Sequence, residues 1–243
     1  MNAENYDLTV LREGCRGWNL TLTERQEEQL LMYYEKLVET NKVMNLTAIT
    51  EFEDVVVKHF LDSLSLAAYL PMENISSMID VGTGAGFPGI PLKILCPEMS
   101  LCLLDSLMKR IRFLEETAES LSLKKVTCVH GRAEEAARNK NCREAFDLCV
   151  SRAVSNLATL AEYCLPFVKP GGYFVSYKSG DVQEEVEKAE KAISILGGRL
   201  EKTEFFCLPG SDIDRSLLFI KKVKKTPAAY PRKAGTPQKV PIM

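Results

Sequence analysis

The chain is short of metal-binding chemistry and of membrane-spanning sequence. It has only two histidines, His59 and His130, and neither sits near a cysteine cluster. Its eight cysteines form no C-x-x-C pair, so no zinc or other metal site is expected. Cys102, Cys128 and Cys149 fall within apolar runs that read as strands, where a free thiol behaves as a small hydrophobe. No apolar stretch approaches the length needed to cross a bilayer. The opening residues lack the basic start and apolar segment of a signal peptide. A soluble cytoplasmic protein with reduced thiols is therefore expected. Net charge is also scarce, at -2 with a pI near 5.9, so any nucleic-acid contact must come from a local basic patch.

At 243 residues, with 46% hydrophobic and 26% charged residues, the chain has the material for one large α/β unit with an extension. Its centre is Met78-Ile79-Asp80-Val81-Gly82-Thr83-Gly84-Ala85-Gly86-Phe87-Pro88-Gly89. A short apolar run ends in an acid, then turns through four glycines. This is how a buried parallel strand hands over to a helix and lets a ligand approach bare backbone. Gly84, Gly86 and Gly89 also satisfy the dinucleotide pattern G-x-G-x-x-G, so the loop alone does not choose between nucleotide ligands. A second apolar run, 99–105, ends in Asp105, placed to accept hydrogen bonds from the hydroxyls of an adenosine ribose. Runs at 124–129, 146–151 and 173–178 read as further strands. The third leads into Gly131-Arg132-Ala133-Glu134 and the fourth into Ser151-Arg152-Ala153, and a Pro-Gly-Gly turn at 170–172 enters the fifth, which ends at Lys178. Helices are expected at 90–96, 107–121, 134–139, 156–165 and 182–196, and an antiparallel hairpin at 202–208 and 217–223.

The flanks differ from this core. A short helix is expected at 6–13, and a capping box, Thr23-Glu24-Arg25-Gln26, opens a second reaching about Thr40. Leu30, Leu31, Tyr34, Leu37 and Val38 mark its apolar face. Residues 41–50 read as a connector, and one further helix runs from 51–54 to just before Pro71. On that helix His59, Asp62 and Ser63 share one surface, as a solvated or internally bonded trio or as a site. From residue 221 onward seven basic residues, Arg232 and Lys233 among them, occur with no acid, while Pro227, Pro231, Pro237 and Pro241 preclude a regular helix. Such a strip suits a phosphate backbone, or is a solvated tail. The expected organisation is a helical extension at 1–70, a cofactor-binding core at 71–225 and a basic strip at 226–243, in one unit.

Four groups of residues occur together in order: Asn41-Lys42 with Asn45-Leu46-Thr47; His59-x-x-Asp62-Ser63; the glycine loop with Phe87-Pro88-Gly89; and Tyr230-Pro231-Arg232-Lys233-x-Gly235-x-Pro237. So arranged, the chain resembles the ribosomal RNA small subunit methyltransferase G family, also called glucose-inhibited division protein B, from about residue 20 to 242. Thr40 departs from the tryptophan usual there, and Ser179 from a common glycine.

The resemblance implies a class I S-adenosylmethionine-dependent methyltransferase fold, Rossmann-like and doubly wound, mostly parallel with an antiparallel carboxyl-terminal hairpin. It implies S-adenosylmethionine (SAM) as cofactor and N7 of one guanine in the 530 loop of bacterial 16S rRNA as target, in the free rRNA, the small subunit or an assembly intermediate. Gly82, Gly84, Gly86 and Phe87 would line the cofactor loop, and Asp105 would take the ribose. Ala133 and Glu134 would lie at the adenine, and Arg152 beside the methionine part. His59, Asp62, Lys178, Arg215, Arg232 and Lys233 are the expected RNA contacts. No residue is assigned to catalysis. The alternatives are a class I methyltransferase on another RNA, a protein or a small molecule, a nicotinamide oxidoreductase sharing the glycine loop, and a non-catalytic cofactor-binding module.

The stretch after the fourth strand bears on the chemistry. Enzymes that methylate exocyclic amines commonly carry an Asn/Asp/Ser-Pro-Pro-aromatic loop there, and this chain has Ser151-Arg152-Ala153-Val154. Methylation at pyrimidine C5 needs a thiolate, and Cys149 sits inside an apolar run with no base beside it.

Overall fold

The computed structural model describes residues 6–152 and 154–243. Met1 to Asn5, part of the amino-terminal stretch considered above, and Ala153 of the fourth strand end lie outside the described residues. Seven strands form one sheet: β1 (Ser77–Val81), β2 (Ser100–Asp105), β3 (Val126–His130), β4 (Phe146–Arg152), β5 (Val168–Ser179), β6 (Gly198–Cys207) and β7 (Asp214–Lys222). Their order is β3-β2-β1-β4-β5-β7-β6. The first five are parallel, and β7 runs antiparallel between β5 and β6. The chain winds outward from β1 to β3, then returns to start β4 on the other side. That reversal opens a crevice at the carboxyl ends of β1 and β4, where open α/β sheets bind ligands.

The central strands are buried on both faces, which is why they read as continuous apolar runs and not as alternating ones. The period of two survives in which core each residue joins. Met78, Leu101, Leu103, Leu148 and Val150 pack on one side, while Ile79, Val81, Cys102, Leu104 and Cys149 pack on the other. The first core also takes in α1 (Thr9–Gly17) and α2 (Glu24–Met44) through Leu11, Leu30, Tyr33 and Leu37. The second is closed by α9 (Leu157–Cys164) and α10 (Gln183–Ile195), with Leu160, Ala189 and Ile193 fully or nearly buried.

Several elements differ from their expected bounds. α2 begins with the capping box, where the Gln26 N–H donates to Thr23 Oγ1 at 3.3 Å and the Thr23 N–H to Gln26 Oε1 at 2.8 Å. It runs four residues past Thr40 and stops at Asn45, whose φ of 47° is left-handed. Asn41 Oδ1 accepts the Leu46 and Thr47 N–H groups, fixing the exit of the chain. The helix expected at 51–70 is broken: α3 (Phe52–Val55), a π-helical turn at Val56–Leu61, α4 (Asp62–Leu64) and α5 (Leu66–Tyr69). In the π turn the Asp62 N–H reaches Val57 O, one residue further back than in an α-helix. β5 starts at Val168, before the Pro-Gly-Gly turn, because a register shift against β4 at Phe146/Leu148 absorbs the turn into the strand. α6 (Gly89–Leu95), α7 (Met108–Ser120) and α8 (Ala133–Ala136) follow β1, β2 and β3.

The carboxyl-terminal segment departs most from its expected form. Lys222, read as part of a surface strip, is 0% exposed: its ammonium donates to Leu165 O at 2.6 Å and to Thr226 Oγ1 at 2.5 Å, and pairs with Glu144 at 3.5 Å. Burial lowers its pKa to about 8. Beyond it the chain lies along α8 and α9 and includes a four-residue helix, α11 (Thr236–Lys239). Pro237 falls in the first turn of α11, where its missing N–H costs nothing.

Candidate cofactor and substrate site

The glycine loop is held from three sides. Gly82, Gly84 and Gly86 have φ of 72°, 61° and 104°, which side-chain-bearing residues adopt with strain. At Gly86 a Cβ would come within 2.8 Å of the Tyr33 hydroxyl. That hydroxyl donates to Ala85 O at 2.5 Å, so α2 buttresses the loop from behind. Tyr33 was absent from the apolar face read in the sequence, although it is fully buried. At Gly84 a Cβ would meet nothing within 4 Å, because that position faces open space. Asp80 fastens the base of the loop: its Oδ2 accepts the Thr83 hydroxyl at 2.7 Å and the Gly89 N–H at 2.9 Å. Its other oxygen is buried without a partner among the described residues, and burial raises the Asp80 pKa to about 6.

The open side of the loop faces a cavity of about 520 Å³. All eight residues expected at the cofactor except Gly86 line it: Gly82, Gly84 and Phe87 after β1, Asp105 at the end of β2, Ala133 and Glu134 after β3, and Arg152 at the end of β4. Asp105 is nearly buried and accepts the Gly84 N–H at 3.0 Å, the Leu107 N–H at 2.9 Å and Arg110 at 3.3 Å. Thr47, Tyr163 and Gln238 also line the cavity and went unremarked as site residues in the sequence. Each lies far along the chain from the glycine loop, and only the fold brings them there.

A second cavity, of about 540 Å³, adjoins the first through His59 and Arg152, which line both. Asp62, Lys178 and Arg215 line it too, so four of the six expected RNA contacts come together. Asp62 is 3% exposed and sits between two guanidinium groups: Arg152 Nη1 donates to its Oδ2 at 2.6 Å and Arg215 Nε to its Oδ1 at 3.1 Å. The Lys178 ammonium donates to Glu185 Oε1 at 2.6 Å and to Ser155 O at 2.9 Å. Ser63 turns inward instead, and its hydroxyl donates to His59 O at 2.5 Å.

His59 lines both cavities. Its ring stacks on Phe87 with centroids 4.4 Å apart, and its Nε2 is 3.0 Å from Thr47 Oγ1. Arg152 Nη2 lies 3.3 Å from His59 Nδ1, and its guanidinium carbon 5.2 Å from the centre of the Phe87 ring. Burial, then the neighbouring Arg152 charge, push the His59 pKa down to about 3, so the imidazole is neutral at physiological pH.

Arg232 and Lys233 lie elsewhere. The Arg232 guanidinium is bound to Glu162 of α9 at 2.6 and 3.0 Å, and its backbone N–H donates to the same carboxylate at 2.7 Å. Lys233 is exposed. Among the described residues no group of three or more His, Cys, Asp and Glu side chains is placed to hold a metal ion, and no helix is long and apolar enough to span a membrane.

The strand order, the open glycine loop, the acid ending β2 and the cavity across the point where the sheet reverses define a class I SAM-dependent methyltransferase. A SAM-dependent methyltransferase from Aquifex aeolicus has the same fold, with a TM-score of 0.50 at 16% identity over 68% of this chain and 92% of its own. The chain belongs to the rRNA small subunit methyltransferase G (GidB) family, whose model matches residues 26–216. Ribosomal RNA small subunit methyltransferase G of Lachnoclostridium phytofermentans is 53% identical over 237 residues, 98% of each chain. Its counterpart from Clostridium novyi is 46% identical over 243 residues, 100% of each.

Proposed function

We propose that the protein methylates N7 of one guanine in the 530 loop of bacterial 16S rRNA, with SAM in the first cavity and the guanine in the second. The observation that carries this reading is the shared lining: His59 and Arg152 line both spaces, so the cavities adjoin and a base in one is near a methyl donor in the other. The residues suit the cofactor. The open side of Gly84 leaves room for a ligand against backbone, and the Asp105 carboxylate is an acceptor for ribose hydroxyls. Bound there, SAM supplies an electrophilic methyl on a cationic sulfur.

The chain's own residues position the base and remove no proton. Guanine N7 carries an in-plane lone pair on the major-groove edge, so nothing must deprotonate it before attack. The neighbouring O6 is an acceptor that Arg or Lys donors commonly bind, and Arg152, Arg215 and Lys178 provide such donors. Holding N7 in line with the methyl supplies much of the acceleration. His59 is neutral, and Cys149 is buried in β4 with its thiol pKa well above the usual value, so neither serves as an acid or a thiolate nucleophile at neutral pH. The rate is therefore expected to be flat above neutral pH.

Nucleoside analysis of small-subunit rRNA methylated by the protein tests this. The expected product is 7-methylguanosine alone. 6-Methyladenosine, 4-methylcytidine or 5-methylcytidine would refute the reading.

A further inference from the structure

The last eighteen residues, 226–243, are tied to the elements that frame one end of the first cavity. Arg143 donates to Thr226 O and Tyr230 O, each at 2.9 Å, and Arg138 to Pro231 O at 2.6 Å. Glu162, buried on α9, binds Arg232. Glu134, 4% exposed, accepts the Gly235 N–H at 2.7 Å. The Thr159 hydroxyl, wholly buried, donates to Pro237 O at 3.2 Å. These anchors deliver the next residue, Gln238, to the cavity lining, which it shares with Ala133, Glu134 and Tyr163, and Glu134 holds Gly235 three residues before it.

Two features make that placement chemical. First, Glu134 serves the cavity and the strap at once: it lines the former and holds Gly235 of the latter. Second, Gln238 is exposed and forms no hydrogen bond among the described side chains, so its amide is free to turn toward a ligand. A primary amide offers one acceptor and two donors on adjacent atoms. That pattern matches the adenine edge, where an amino donor stands next to a ring-nitrogen acceptor, and Gln pairs with adenine in this way elsewhere.

We propose that Gln238 is a further cofactor-binding residue that recognises the adenine of SAM, and that the carboxyl-terminal strap is a wall of the cofactor site. The inference rests on the cofactor reading above and adds a residue and a role to it. Tethering by five side chains places the amide near the ligand before binding, which reduces the ordering needed when the ligand arrives.

Calorimetry of the full chain with S-adenosylhomocysteine tests it, comparing wild type with Gln238→Ala. The site is exposed, so the melting temperature without ligand is expected to be unchanged. The dissociation constant is expected to rise about three- to tenfold, the worth of one or two hydrogen bonds. The same factor is expected for 5′-methylthioadenosine, which keeps adenine and ribose and lacks the amino-acid part. Equal affinity of wild type and variant would overturn the inference. So would a loss confined to S-adenosylhomocysteine, because the contact would then lie at the amino-acid end. If wild type bound neither ligand, the cofactor reading itself would fail.

Discussion

Replacing Asp62 by asparagine removes one negative charge from between two guanidinium groups while keeping the side-chain volume. In the native protein Arg152 and Arg215 reach opposite oxygens of this carboxylate, and the three side chains are only 15%, 20% and 4% exposed. The amide accepts through one atom only, so one arginine loses its partner and both face each other unneutralised. Removing one member of a buried pair costs about 3–5 kcal/mol. Here the guanidinium groups keep some access to water, so a loss of about 3 kcal/mol is expected, or a fall in Tm of roughly 6–12 °C for a chain of this size. Urea unfolding of wild type, Asp62→Asn, Arg215→Met and the double variant measures it. The double variant is expected to be more stable than Asp62→Asn alone, because the surplus charge goes with the arginine. A loss below about 0.5 kcal/mol, the range of an ordinary surface change, would refute the bridging role.

Other perturbations read out separate parts of the molecule. Gly84→Val puts a branched side chain into the cavity at a left-handed position, and calorimetry should show S-adenosylhomocysteine affinity down by at least about tenfold. His59→Asn should abolish an acid sensitivity. The native pKa of about 3 lies below the ordinary 6.5, so the neutral ring's contribution is present above pH 6.5 and is lost as pH falls toward 3. Between pH 7 and pH 5 wild type should therefore lose about 2 kcal/mol relative to the variant in urea titrations. The difference between the two proteins is the quantity to read, because Asp80, with its raised pKa of about 6, gains stability on acidification over an overlapping range. Arg232→Ala leaves buried Glu162 with only the residue 232 N–H as donor and should cost about 3 kcal/mol in unfolding with no change in the salt slope of RNA binding. Lys233→Ala should leave stability unchanged and reduce that slope by about one.

The sheet was legible because its signals are local. Parallel strands buried on two faces read as apolar runs, and a left-handed turn with a ligand against it demands glycine. The acid ending β2 followed from the same register. What local pattern could not show was the exchange of partners over long separations. Arg232 looked like a phosphate contact because the acid that neutralises it, Glu162, is 70 residues away on another element. Lys222 likewise finds Glu144 and Leu165 O only in the fold. The π turn at Val56–Leu61 carries no composition signal, since an α-helix accommodates the same residues. It is tertiary bonding, with Asp62 on two arginines and Tyr177 on Ser63 O, that holds the extra residue in place. Tyr33 escaped notice because its role is to support backbone, which leaves no spacing to read.

The strap also sets an order of events during synthesis. Residues 226–243 are translated after every element they fasten, and at cellular elongation rates they take roughly 1–4 s to make. Until Arg232 and Gly235 emerge from the ribosome, the carboxylates of Glu162 and Glu134 have no partner on the nascent chain. Strands β1 to β5 all precede residue 180 and are free to pair before the strap is available, while one wall of the cofactor cavity does not yet exist. A nascent chain with its parallel strands paired thus still lacks part of its cofactor site until residues 226–243 dock.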